Sequence, residues 1–182
     1  GRRVAFFGFA RPRQGGVPVL SELLARYFAF LCSGERELPA KSAMTQVIAD
    51  DLAREEEWFA NSKSTRTLVH YTRYADDLAK LIGCLPNLED SLNDPQLLTH
   101  LICSSNTGLS YRLEGPDAFP EVAREACVSA PIADPYEAID RFLEHALGDR
   151  LSPDLAKRAA EIIRTYLTTH TTDMPSTETW GT

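Results

Sequence analysis

Nothing in this chain favours a polyanion. Lys and Arg total 19 against 26 Asp and Glu, a formal net charge of -7, so no basic stripe exists to neutralise phosphates and nucleic-acid binding is excluded as a first reading. Cysteine is scarce and scattered. Cys32, Cys84, Cys103 and Cys127 include no Cys-x-x-Cys pair, which argues against a zinc site or a disulfide framework and predicts buried free thiols. No run approaches the roughly 18 to 20 consecutive apolar residues of a membrane span, and no charged-then-apolar leader opens the chain. No transmembrane segment and a cytoplasmic protein are therefore expected. No internal repeat recurs at a fixed period either. What is present is ordinary globular material: 182 residues, 43% hydrophobic and 25% charged, enough for one sizeable core.

Helical spacing dominates the pattern. Leu20, Leu23, Leu24, Tyr27, Phe28 and Leu31 recur on one face, with Gly34 where a C-terminal cap belongs. A longer helix carries Met44, Val47, Ile48, Leu52 and Phe59 opposite a solvated face with Asp50, Asp51 and Glu55 to Glu57. A third, within Leu68 to Ile82, stops at Gly83. Asp94-Pro95, Asp134-Pro135 and Ser152-Pro153 repeat one device, a capping side chain before a proline at the first helical position. A weaker helix is expected over Phe119 to Cys127, a short strand over Leu109 to Leu113, and a disordered polar tail at 169–182. The fold class expected is mainly α: one N-terminal buried strand, Val4 to Ala10, plus about six or seven helices. A lone strand is not a sheet, so its partners are expected upstream in a longer parent or in another molecule.

Few side chains converge on chemistry. His100 and Cys103 lie three apart on one predicted helix, within reach as base and nucleophile, but apolar Leu101 and Ile102 beside them point to a buried face. No catalytic residue is assigned. The other histidines lack metal-ligand spacing and no metal is assigned. Asp50-Asp51 and Asp76-Asp77 are adjacent helical pairs that diverge, and Glu22 with Arg26 reads as a surface ion pair. The turn Gln14-Gly15-Gly16-Val17-Pro18 differs because it joins the apolar run to a helix N-terminus. Glycine there lets backbone approach a ligand, and unpaired N–H groups favour an anion or an electron-rich carbonyl. Steric demand alone accounts for glycine at many such turns.

Several blocks in order give the chain a resemblance. Phe6-Phe-Gly-Phe-Ala-Arg-Pro12, Gly15-Gly-Val-Pro18, Ser21-Glu-Leu-Leu-Ala-Arg-Tyr27, Ser33-Gly-Glu-Arg-Glu-Leu-Pro39, Asp77-Leu-Ala-Lys-Leu-Ile-Gly-Cys-Leu-Pro-Asn87, Asn93-Asp-Pro95 and Tyr111-Arg-Leu-Glu-Gly-Pro116 resemble the C-terminal part of the flavin-containing monooxygenases, the dimethylaniline monooxygenase type. The resemblance covers roughly residues 4 to 128. It implies the C-terminal remainder of an α/β flavoprotein with two dinucleotide-binding domains. FAD, NADPH and dioxygen would oxygenate a soft nitrogen or sulfur of an amine or thioether, or, in some relatives, insert oxygen beside a ketone. The family's Gly-x-Gly-x-x-Gly phosphate loops and active-site asparagine are not in this chain, so the chain alone is not expected to be active.

The resemblance implies that Gln14, Gly15, Gly16, Val17, Pro18, Ser21 and Leu24 close over the flavin. Leu24 stands where the family commonly has glutamine, which removes a polar flavin contact, and Tyr27 replaces a frequent tryptophan. The expected division is 1–34 as the last strand, turn and helix of an FAD domain and 35–128 as a helical region, both implied by the resemblance, then 129–168 as an added helical hairpin and 169–182 as the tail, both read from the residue pattern. Residues after Ser129 match no family motif. A non-catalytic helical interaction protein descended from such an enzyme is the alternative.

Overall fold

The computed structural model describes residues 6–12, 16–59, 68–104, 108–132 and 150–170. The chain divides into two compact units, Gly1–Leu85 with Glu114–Ala118, and Pro86–Leu113 with Phe119–Thr182. As the residue pattern requires, both are built mainly of helices.

In the first unit, α1 (Val17–Ser33) starts with Gly16 at the N-cap and Pro18 in the first turn, and ends on left-handed Gly34. α2 (Lys41–Phe59) follows. α3 (Tyr71–Ile82) is capped by His70, whose Nδ1 accepts from the Arg73 N–H at 3.4 Å, and ends on left-handed Gly83. Leu20, Leu23 and Tyr27 of α1 are buried, as are Ala75, Leu78, Ala79 and Ile82 of α3, and the two helices pack along each other.

Two expectations change here. The N-terminal strand is short: β1 (Arg11–Pro12) pairs in parallel with β2 (Leu68–Val69), while Phe6 to Ala10 have no ladder and Phe6 and Phe9 are 75% and 66% exposed. A doubly buried strand needs neighbours on both sides, and among the described residues Leu68–Val69 pair with Arg11–Pro12 only. The apolar positions Val47, Ile48 and Leu52 of α2, read as an inward face, are also exposed. The buried faces of α1 and α3 satisfy each other and leave that stripe out.

The second unit holds α4 (Leu88–Ser91), α5 (Pro95–Cys103), a 3-10 turn (Leu109–Arg112), α6 (Pro120–Ser129) and α7 (Pro153–His170). Its core joins Leu88, Leu92, Leu98, Cys103 and Leu151 to Ala156, Ala159, Ala160, Ile163 and Leu167. The alanine stripe on α7 lies against α5. Asp94 caps α5, its Oδ1 accepting from the Leu97 N–H at 3.1 Å, and Ser152 does the same for Leu155 at 3.4 Å.

The strand expected over Leu109 to Leu113 is the 3-10 turn instead. Gly108, at φ 76°, bends the chain into it, and Tyr111 is buried while Leu109 stays open. An alternating pattern over five residues without a partner strand does not hold a ladder. Thr169 and His170 complete α7. The helix expected after Asp134-Pro135, and the tail from 171, lie outside the described residues.

Candidate functional site

The first turn of α1 opens without a capping side chain. Gly16 has an extended backbone (φ -97°, ψ 121°) and supplies no side-chain cap, the first turn carries no acid, and Pro18 contributes no N–H. The leading N–H groups therefore keep the donor capacity and partial positive charge of an uncapped helix end. A Cβ at Gly16 would meet Pro18 Cδ at 3.6 Å and Val19 Cγ2 at 4.0 Å, ordinary contact distances, so local packing does not demand glycine there.

Val17, Ser21, Leu24 and Phe28 recur four, three and four apart and so share one stripe of α1, beside the buried stripe of Leu20, Leu23 and Tyr27. The chain's own N-terminal segment covers the far end of that stripe. Phe7 meets Phe28 edge-on with ring centroids 5.2 Å apart. Gly8, at φ 75°, passes so near that a Cβ on it would lie 3.8 Å from Ser21 Oγ. At the near end, Val17 is 41% exposed and Pro18 is exposed.

Of the residues singled out in the sequence, Gly16, Val17, Pro18, Ser21 and Leu24 fall along one edge of α1. Ser21 and Leu24 are half-buried, and Gln14 and Gly15 lie outside the described residues. Phe7 and Phe28 join the same surface unannounced; the four-residue step from Leu24 to Phe28 was the available signal. Arg26 was read as half of a surface pair with Glu22. That pair is present at 4.0 Å, but Arg26 is only 9% exposed, and its Nη2 donates to the Pro116 carbonyl at 3.0 Å.

The His100 and Cys103 pairing is closed to chemistry. Burial pushes the Cys103 thiol up to about 12, so at neutral pH it holds its proton and lacks the thiolate a nucleophile needs. Burial also lowers the His100 pKa, against a backbone hydrogen bond at Ala130 that works the other way. Cys84 and Cys127 are buried free thiols as expected, whereas Cys32 is exposed on α1. Among the described residues no cluster of His, Cys, Asp or Glu is arranged to hold a metal ion. No helix there is long and apolar enough to cross a membrane.

Residues 2–135 match the family model for flavin-binding monooxygenase-like proteins. The chain is 37% identical over 142 residues to 4-hydroxybenzoate brominase (decarboxylating) of Pseudoalteromonas luteoviolacea (strain 2ta16), and equally to that of Marinomonas mediterranea (strain ATCC 700492 / JCM 21426 / NBRC 103028 / MMB-1). Each alignment takes in 78% of this chain and 28% of the relative. It is 28% identical over 118 residues to flavin-containing monooxygenase 3 of Homo sapiens, covering 64% of this chain and 22% of the relative. The chain thus spans less than a third of the length of these curated relatives.

Proposed function

The chain belongs to the flavin-binding monooxygenase-like family, and from that premise we propose that its α1 turn forms one wall of an FAD site in an NADPH- and dioxygen-dependent monooxygenase. The observation that carries this reading is the uncapped, acid-free start of α1, with half-buried Gly16 leading into exposed Val17 and Pro18. Flavin presents carbonyl oxygens along its pyrimidine edge and an apolar ring face. Backbone N–H groups at a helix start suit the first, and Val17 and Pro18 suit the second. Gln14 and Gly15 complete the turn in this reading, and Ser21 and Leu24 back it from the following turn of the helix.

The bound flavin would supply the oxygen chemistry. The contribution of this chain is to hold the ring edge with backbone donors and to exclude water with Val17, Pro18 and the aromatic pair Phe7 and Phe28. No acid–base group of the described residues enters a reaction step. The parent enzyme oxygenates a soft nitrogen or sulfur of an amine or thioether, and the chain alone is inactive because the dinucleotide phosphate loops are not part of it. Its free thiols suit a reducing cytoplasm.

A second substrate reading rests on the relatives. The 37% identity to enzymes named 4-hydroxybenzoate brominase exceeds the 28% to flavin-containing monooxygenase 3. In that reading the parent brominates and decarboxylates a 4-hydroxybenzoate-like phenol. One experiment separates the two: purify the protein that carries this chain, establish its flavin by absorbance, and follow NADPH oxidation. A thioether or tertiary amine yielding its oxide supports oxygenation, and a bromide-dependent brominated phenol supports the second. A flavin-free protein that consumes no NADPH with either substrate contradicts both.

A further inference from the structure

We propose that Arg26 is a positioning residue for the flavin wall, which locks the axial rotation of α1 by gripping the Glu114–Ala118 strap; the proposal rests on the flavin reading above. Two contacts bring the strap onto α1 and α3. The Nη2 of the nearly buried Arg26 donates to the Pro116 carbonyl at 3.0 Å, across 90 residues of sequence. Gly115, at φ +79°, lies directly on the cap of α3: a Cβ there would fall 2.1 Å from the Gly83 carbonyl oxygen and 3.0 Å from Cys84 Cα. The strap therefore meets the α3 cap through backbone and α1 through the Arg26 guanidinium. Arg36, just beyond α1, closes the same end by donating to the Ile82 carbonyl at 2.8 Å.

The clasp adds a directional polar tie to an otherwise apolar contact between α1 and α3. The α3 surface facing it alternates fully buried Ala75 and Ala79 with buried Leu78 and Ile82, so small and large side chains share the contact. At the flavin end Gly16 contributes no side-chain cap, and the hold there is apolar, through buried Leu20 and Leu23. Arg26 stands nine residues along from Val17, roughly 13 Å of stiff helix. A rotation released at Arg26 reaches Val17 undiminished and misaims the leading N–H groups.

The test uses Arg26→Met, Arg26→Gln and Arg26→Lys in the protein that carries this chain. Three readouts apply: the FAD dissociation constant of apoprotein, the visible circular dichroism of bound flavin, and the melting temperature without flavin. A lost charge-assisted hydrogen bond predicts FAD weakened about tenfold or more in Met and Gln, with an altered flavin dichroism. Lys, which can still donate to Pro116, should stay within about threefold of wild type. If all three lower the melting temperature alike while folded protein binds FAD as wild type does, Arg26 is merely structural and the proposal fails. Hydrogen exchange without flavin separates this failure from failure of the flavin reading. Wild type that binds no FAD defeats that reading, yet Arg26→Gln should still speed exchange across residues 17–24 and leave α7 unchanged. Unchanged exchange there overturns the lock, and Gln serves should Met not fold.

Discussion

Gly34 and Gly115 both have φ +79°, yet their surroundings separate them. A Cβ on Gly34 meets nothing within 4 Å, so Gly34→Ala costs only the backbone preference, about 1 kcal/mol. The same change at Gly115 adds collision with the Gly83 carbonyl and should cost about 3 kcal/mol or more, read as a difference in urea midpoints. Gly34 was legible because it follows an apolar helical stripe. Gly115 was not, since its demand comes from residue 83, which only the tertiary fold brings near. Asp94 shows the same division. Its cap on α5 followed from Asp-Pro, but its pairing with Arg124, Nε to Oδ2 at 2.7 Å, crosses 30 residues. That hydrogen bond, with help from the Leu97 N–H and against burial, holds the Asp94 carboxyl below its usual 3.8. A lowered folded pKa adds stability that is present above the unfolded value and lost as pH falls through the folded one. Asp94→Asn should therefore cost about 1 kcal/mol near pH 7, given the pair's partial exposure, and the gap in melting temperature from wild type should narrow as pH falls below the ordinary carboxylate range.

At the scale of helices, period and punctuation were sufficient wherever a helix carried its own stop or start. α1, α2, α3, α5 and α7 follow from apolar spacing with Gly34, Gly83, Asp94-Pro95 and Ser152-Pro153. α6 was harder because Phe119, a residue without capping oxygen, precedes its proline, and four-residue α4 is too short for a period. Which stripe faces inward was less legible. Ser21 and Leu24 share the α1 edge with exposed Val17, and apolar Val47, Ile48 and Leu52 lie open on α2. Burial decides thiol chemistry in the same way. Exposed Cys32 on α1 should alkylate quickly with iodoacetamide near pH 8. Cys103 on α5, with its thiol at about 12, should stay unmodified until the protein is denatured. Peptide mass mapping before and after urea checks the order.

For the molecule as a whole, several blocks in sequence order identified the family where no single motif did. They did so without disclosing the strap that joins Arg26 of α1 to Pro116, because a backbone acceptor leaves no mark in sequence. Among its described residues the first unit exposes Phe6, Phe9, Val47, Ile48 and Leu52, three of them on one stripe of α2. The 182-residue chain alone should therefore self-associate with rising concentration in sedimentation velocity, and Ile48→Lys should weaken that association. Whether the start of α1 faces flavin is read by titrating FAD into apoprotein of the protein that carries this chain with Val17→Asp in place. A carboxylate at this position suits the helix dipole and should leave the melting temperature equal or higher. It also sets negative charge against the flavin carbonyls, so FAD should bind at least about tenfold more weakly. Unchanged FAD affinity in a stably folded Val17→Asp protein would contradict the account.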